Sequence, residues 1–364
     1  MFTRRQVLIS GLASVCPIRG VSQQLDNSPM FGRRLITGFR GQQVDDPEVQ
    51  TVLGFLDRRE IAGVLLLQRN IASPEQLLTL TEAFRSAANG YVPIIAVDQE
   101  GGKVARLGAR NGFFEWDSAA DIAASGMSDS EILEYYSVRA AQLAFTGINL
   151  TFGPVIDLNV NPSNPIIGEL GRSFGRDVQD VVRLADLFIQ AHRSASIKTC
   201  LKHFPGHGSS TSDSHLGLVD VSDTWNEEEL LPYTQLVERG SADAVMTAHV
   251  IVAALSNGEK VPFSLYGGMS AELERTAKFE GSIFSDDMQM GAIVDHFGIS
   301  TAARDAVNAG NTFLVYSNYR PENPINTVEN VRLGLEVEYA LGSFNKHLLQ
   351  VASNNAEEFL LGLV

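Results

Sequence analysis

The run Ile197-Lys198-Thr199-Cys200-Leu201-Lys202-His203-Phe204-Pro205-Gly206-His207-Gly208-Ser209-Ser210-Thr211-Ser212-Asp213-Ser214-His215 decides how the rest of the chain is read. Its first five residues have the length and burial tendency of a short strand, and the remainder, with Pro205, Gly206, Gly208 and a Ser/Thr run, has the chemistry of a loop leaving that strand's end. The segment from Lys202 onward holds three of the chain's seven histidines with a lysine and an aspartate. Titratable groups gathered on a loop above a rigid strand are where chemistry is usually placed.

Working outward, the same unit recurs. Apolar runs at Leu35–Phe39, Ile61–Leu67, Val92–Val97, Ile148–Phe152 with Val155-Ile156, Ala244–Met246, Ser282–Phe284 and Thr312–Val315 join 197–201 to make eight expected strands. Continuous rather than alternating apolar runs are expected of strands covered on both faces, as in a parallel sheet. Helical patterns lie between most of them. Ser73-Pro74-Glu75-Gln76 predicts a cap, a proline at the first helical position and a capping box; Ser128 with Glu131 predicts a second box over about 128–146; a further helix is expected at about 178–195. The tail at about 345–363, with Leu348, Leu349, Val351, Phe359 and Leu360, reads as a closing helix. Eight strands alternating with helices predict a single-domain α/β fold, a (β/α)8 TIM-type barrel. Arg40, Asn70, Asp98, Asp157, Lys202, His203, His249, Asp286 and Asn318 fall at the C-terminal strand ends, the face that carries the active site in such barrels.

The 364 residues, 44% hydrophobic and 20% charged, provide for a large core. A formal net charge of −15 without a basic cluster excludes a nucleic-acid partner as an expectation. Arg4-Arg5 followed by a short apolar run and small residues has the form of a twin-arginine export signal over 1–22, leaving 23–364 as the barrel; the protein is then periplasmic or secreted, and otherwise cytoplasmic, with no membrane role beyond export. Only Cys16 and Cys200 are present, and Cys200 in an expected buried strand reads as packing.

The candidate chemistry lies in three places. Asp286 and Asp287 are adjacent at a strand end; one side chain should face the barrel mouth, where a carboxylate can attack a sugar carbon, while the alternative is that both cap the next helix. Asp213 and His215 stand two apart, and in an extended segment would project together, the carboxylate fixing the imidazole as a general acid/base. Asp98, Arg106, Arg172, Lys202 and His203 can bind hydroxyl or carboxylate oxygens. His203, His207, His215, His249 and Asp286 could instead hold a metal, although no His-Glu-x-x-His or paired-cysteine pattern supports one, and neither metal nor cofactor is expected.

The segments Val97-Asp98-Gln99-Glu100-Gly101-Gly102-Lys103-Val104-Ala105-Arg106, Gly171-Arg172-Ser173-Phe174-Gly175, Lys202 to Gly208 with Asp213-Ser214-His215, and Phe284-Ser285-Asp286-Asp287-Met288 come in one order. In this the chain resembles glycoside hydrolase family 3, specifically its single-domain bacterial β-N-acetylglucosaminidases of cell-wall recycling. The resemblance implies Asp286 as nucleophile of a retaining reaction, His215 oriented by Asp213 as acid and then base, and Asp98, Arg106, Arg172, Lys202 and His203 as binders of the N-acetylglucosamine unit. It implies an amino-sugar glycoside or muropeptide as substrate. Ser209 departs from the acidic residue common after the glycine-rich turn, and Thr312 from the usual aspartate. A metal-dependent barrel hydrolase, a family 3 glycosidase of other specificity and a non-catalytic sugar-binding barrel are the competing readings.

Overall fold

The computed structural model describes residues 31–320 and 322–363. The expected export segment, and residues 23–30 after it, lie outside the described residues. Eight strands form a closed barrel: β1 (Leu35–Thr37), β2 (Gly63–Leu66), β3 (Ile94–Val97), β4 (Leu150–Thr151), β5 (Lys198–Phe204), β6 (Ala244–Thr247), β7 (Ser282–Asp287) and β8 (Phe313–Tyr316). Each pairs in parallel with its sequence neighbours, and β1 closes the ring on β8 through Leu35 opposite Leu314. The helices are α1 (Pro47–Asp57), α2 (Pro74–Ala87), α3 (Asp129–Phe145), α4 (Val178–Ser194), α5 (Leu231–Glu238), α6 (Met269–Ala277), α7 (Ile299–Asn308), α8 (Thr327–Ala340) and α9 (Lys346–Leu361), with shorter turns between them.

The continuous apolar runs are explained by two cores. Successive side chains alternate across each strand, so Ile36, Leu65, Ile94, Ala96, Cys200, Met246, Phe284 and Phe313 fill the barrel interior. Their neighbours Leu35, Val64, Leu66, Ile95, Val97, Leu201 and Ile283 pack outward against the helices. Cys200 is buried and burial pushes its thiol up, which fits packing and not reaction. The tail is the expected closing helix. From α9, Phe359 meets Phe284 and Phe313 at ring separations of 5.4 and 5.5 Å, closing the barrel's N-terminal end.

Local signals account for the helix starts. Ser128 Oγ accepts from the Glu131 amide while the Glu131 carboxylate accepts from the Ser128 amide, completing the expected box. At α2, Ser73 accepts from the Gln76 amide, but Gln76 Oε1 reaches the amide of Ala72 instead of that of Ser73, so the reciprocal bond falls one residue early.

Three strand boundaries differ from expectation, and all three matter for the site. β4 is only two residues long: Pro154 has no N–H for the ladder, and pairing resumes with a single bridge between Val155 and Lys202. β5 runs on to Phe204, with an irregular register between Leu201 and Phe204. Lys202 and His203 therefore project from the strand itself, not from the loop. β7 likewise continues through Asp286 and Asp287.

Candidate active site

Five charged side chains meet at the C-terminal mouth between β3, β4 and β5. Lys202 Nζ stands 2.9 Å from Asp98 Oδ1 and 2.7 Å from Glu100 Oε1. Arg172, on the loop after β4, holds both oxygens of Glu100 through Nε (2.7 Å) and NH2 (2.8 Å). Arg106 NH2 lies 3.3 Å from Asp98 Oδ2. Gln99 places Arg106 by bridging a hairpin: its Oε1 accepts from the amides of Arg106 and Leu107, and its Nε2 donates to Leu107 O.

Burial alone would raise the Glu100 carboxyl, but Arg172 and Lys202 outweigh it and hold the group far below the usual carboxylate range. The same opposition, against Lys202 and Arg106, leaves Asp98 lowered. Lys202 is raised: desolvation acts downward on it, and Asp98 and Glu100 more than compensate. The Asp98 and Arg106 side chains keep 19% and 27% of their surface open, so this pair is the part of the network that a ligand can reach.

His203 is held from both sides. Its Nδ1 is 2.6 Å from Asp157 Oδ2, and its Nε2 faces Arg172 NH2 at 3.2 Å. A guanidinium can only donate, so Nε2 accepts and Nδ1 donates to Asp157. Asp157 Oδ1 also accepts from the amides of His203 and His207.

His207 is the hub of the following loop. Its Nδ1 meets Ser210 Oγ at 2.7 Å and its Nε2 meets Ser214 Oγ at 2.9 Å. Burial depresses it to about 4. Asn164 Nδ2 donates to His207 O and Gly208 O, and Asn161 Nδ2 to Ser210 O. A Cβ on Gly208 would sit 1.7 Å from Leu158 O, so only glycine fits there. Glu229, before α5, closes the loop from below: it is 1% exposed, accepts from the Gly208 amide at 3.1 Å, and burial pushes it up to about 7.

Asp213 and His215 do meet, though not in an extended segment. Asp213 Oδ1 accepts from the His215 amide and pairs with His215 Nδ1, both at 2.8 Å, and Leu216 N closes a turn onto Asp213 O. A turn stabilised by an aspartate side chain produces the pairing. The His215 side chain is 59% exposed. The loop then crosses to the segment after β7, where Gly291 N donates to His215 O (3.2 Å) and Ala292 N to Ser214 O (3.3 Å).

The two aspartates at the end of β7 diverge. Asp287 is a fastener: its carboxylate accepts from the amides of Gln289 and Ser317 and from Ser317 Oγ. Among the described residues Asp286 is hydrogen-bonded only to the amide of Asp287, at 2.7 Å. Burial would raise the Asp286 carboxyl, yet the imidazoles of His203, His249 and His215 and the Asp287 amide leave it lowered. His249 is positioned by Ser264 Oγ at 2.6 Å and Asp287 O at 3.1 Å.

Every sequence-predicted site residue thus lies at one end of the barrel. Of the other strand-end residues, Arg40, Asn70 and Asn318 are spent on loop carbonyls and neighbouring side chains. Glu100, Asp157 and Glu229 had no assigned role in the sequence, and His207 only that of a possible metal ligand. Asp157 carried a signal as a lone acid after an apolar run, and Glu100 stood inside a quoted motif; Glu229 carried none. Among the described residues no group of three or more His, Cys, Asp or Glu side chains is arranged to hold a metal ion, and no helix is long and apolar enough to cross a membrane.

A parallel eight-stranded barrel with acids, imidazoles and guanidinium groups converging on its C-terminal mouth is the build of a TIM-barrel active-site face. The family described as glycosyl hydrolase family 3 N terminal domain matches residues 40–342, and the chain belongs to that family. A beta-hexosaminidase of Tolumonas auensis is 38% identical over 264 residues, 71% of this chain and 76% of that protein. Beta-hexosaminidase A of Pseudoalteromonas piscicida is 31% identical over 316 residues, 79% of this chain, which spans about half (52%) of that longer protein. Among solved structures, a glycoside hydrolase family 3 β-N-acetylglucosaminidase from Paenibacillus sp. str. FPU-7 superposes with a TM-score of 0.82 at 28% identity, covering 92% of this chain and 62% of that one.

Proposed function

We propose that the chain is a retaining exo-β-N-acetylglucosaminidase that releases N-acetylglucosamine from peptidoglycan-derived fragments. The observation that carries this reading is the docking of the Asp213–His215 turn onto the segment after Asp286, through Gly291 N to His215 O and Ala292 N to Ser214 O. It brings an exposed imidazole with a carboxylate partner to the strand end where the one carboxylate without a fastening role resides.

In this reading Asp286 attacks the anomeric carbon as His215 gives its proton to the departing glycosidic oxygen, leaving a glycosyl ester on Asp286. His215 then takes a proton from water, whose oxygen attacks the same carbon, and Asp286 leaves as a carboxylate. Asp98 and Arg106 meet sugar hydroxyls at the open side of the network, while Lys202, Arg172 and His203 hold that surface in shape. Relatives named beta-hexosaminidase support the choice of an amino sugar. The Arg4-Arg5 segment motivates an exported enzyme meeting muropeptides outside the cytoplasm.

The test is a leaving-group series of aryl N-acetyl-β-glucosaminides. Asp286→Ala should remove turnover on all of them. His215→Ala should lose about 10²–10⁴-fold on poor leaving groups and little on good ones. Full turnover by Asp286→Ala ends the reading, and an equal loss on all leaving groups removes the acid role from His215.

A further inference from the structure

The strand that carries Asp286 outruns its neighbour on one side. β7 pairs with β6 from Ser282 opposite Ala244 to Ser285 opposite Thr247. There β6 ends, while β7 continues through Asp286 and Asp287. The main chain past Thr247 keeps to β5, with Ala248 N donating to Phe204 O at 2.8 Å. Among the described residues Asp286 and Asp287 therefore have no strand partner on the β6 side. A side chain fills the gap: His249 Nε2 stands 3.1 Å from Asp287 O, which also accepts from the amide of Met290 in the turn that follows.

A carbonyl can only accept, so Nε2 carries the ring proton and Nδ1 accepts from Ser264 Oγ at 2.6 Å. Burial lowers the imidazole, which favours this neutral form. The ring's anchor is itself fixed. Ser264 N donates to Ala248 O at 3.2 Å, Asn311 Nδ2 donates to Ser264 O at 2.8 Å, and Asn311 Oδ1 accepts from Thr247 Oγ1 at 2.8 Å. His192 shows what a packing histidine looks like in the same chain: fully buried, it stacks on Phe188, bonds Phe188 O one turn back on its own helix, and leaves Nε2 unpartnered. His249 is equally buried, but both its nitrogens are engaged and its one N–H is aimed at the end of β7.

Asp287 is thus held from three directions. Ser317 and Gln289 hold its carboxylate, Val315 O accepts from the next amide, Met288 N, at 2.9 Å, and His249 holds its carbonyl. Its own amide is the donor to Asp286 Oδ1. We infer that His249 is a positioning residue for Asp286: its Nε2–H replaces the missing strand partner and fixes the residue from which the attacking carboxylate takes its hydrogen bond. This assignment rests on Asp286 being the nucleophile. A misplacement of about 1 Å at a reacting group is worth roughly 10²-fold in rate.

The experiment is hydrolysis of dinitrophenyl N-acetyl-β-glucosaminide, whose leaving group needs no proton from His215, with inhibition by N-acetylglucosamine and a melting curve for each variant. His249→Leu removes the N–H at similar size and should lower kcat/KM about 10²-fold while the inhibition constant for N-acetylglucosamine stays within about threefold. His249→Gln returns an N–H donor at the same number of bonds from Cβ and should recover about tenfold of that loss. Ser264→Ala keeps the imidazole but removes its anchor, should lose about tenfold with inhibition unchanged, and carries the test alone if His249→Leu does not fold. If Asp286→Ala is inactive while His249→Leu and Ser264→Ala keep kcat/KM within about threefold, the positioning role is refuted and the glycosidase reading stands. A loss matched by equally weakened N-acetylglucosamine inhibition, or one that His249→Gln does not relieve, marks ordinary core damage and overturns the proposal. Turnover by Asp286→Ala removes the nucleophile and this role with it.

Discussion

Glu100→Ala is the perturbation that best weighs the charge network at the mouth. The Glu100 side chain is 5% exposed and carries three contacts, two from Arg172 and one from Lys202, each 2.7–2.8 Å long. Truncation leaves Arg172 with Ile166 O and His203 Nε2, and Lys202 with Asp98 alone. Two buried cations then share one accessible carboxylate. Breaking a buried ion pair by removing one partner costs about 3–5 kcal/mol, mainly because the remaining charge is left without compensation. At about 2–4 °C per kcal/mol for domains of 150–250 residues, and taking the low end for a chain of this size, Tm should fall by roughly 6–10 °C.

The cost should couple to Arg172. Arg172→Met alone strips Glu100 of its bidentate partner, whereas Glu100→Ala with Arg172→Met removes both charges. The double variant should therefore lose less than the sum of the singles, by at least about 2 kcal/mol. The assay is urea unfolding of the four proteins at pH 7, repeated at pH 4. Glu100 is depressed in the folded state, so its contribution is complete above the unfolded carboxylate pKa of ~4.3 and declines as pH falls below it. The wild type's advantage over Glu100→Ala should shrink at pH 4 by under about 1 kcal/mol, since the folded carboxylate stays ionised well below that pH. A Glu100→Ala cost below about 1 kcal/mol at pH 7, or additive single variants, would show that solvent screens the network as it does at a surface, and the reasoning would fail.

Three further outcomes are expected. Glu229 is raised to about 7 by burial, so the folded state holds a proton that the unfolded chain releases near ~4.3; its contribution is complete below that pH and is lost as pH rises toward 7. Glu229→Gln should gain on the order of 2–3 kcal/mol over wild type at pH 8.5 relative to pH 4, and a gap equal at both values refutes the assignment. Phe359→Ala opens the aromatic plug against Phe284 and Phe313 and should cost about 3–5 kcal/mol in urea unfolding with specific activity per folded molecule intact; a cost under 1 kcal/mol means α9 does not close the core. Arg4→Lys with Arg5→Lys should shift the protein from the periplasmic to the cytoplasmic fraction, and an unchanged partition in immunoblots removes the twin-arginine proposal.

What could be read from the chain and what could not separate along a physical line. The barrel was legible because burial on both faces of a parallel strand imposes a local signature, a continuous apolar run, and each of the eight left its own. Ser128 with Glu131, and the tail with Phe359 and Leu360, were legible for the same reason: the cause lies within a few residues. The mouth residues were legible as types at strand ends, but not as pairs. Nothing local to Glu100 says that its partners are Arg172 and Lys202, over 70 and 100 positions away; nothing local to Asp157 names His203 and His207. Asp286 and Asp287 make the point within one dipeptide. Their difference comes from Ser317, just past the end of the next strand, which claims one carboxylate and leaves the other facing the imidazoles. Closing a barrel brings together groups that sequence distance keeps apart, and their charge states follow from that meeting.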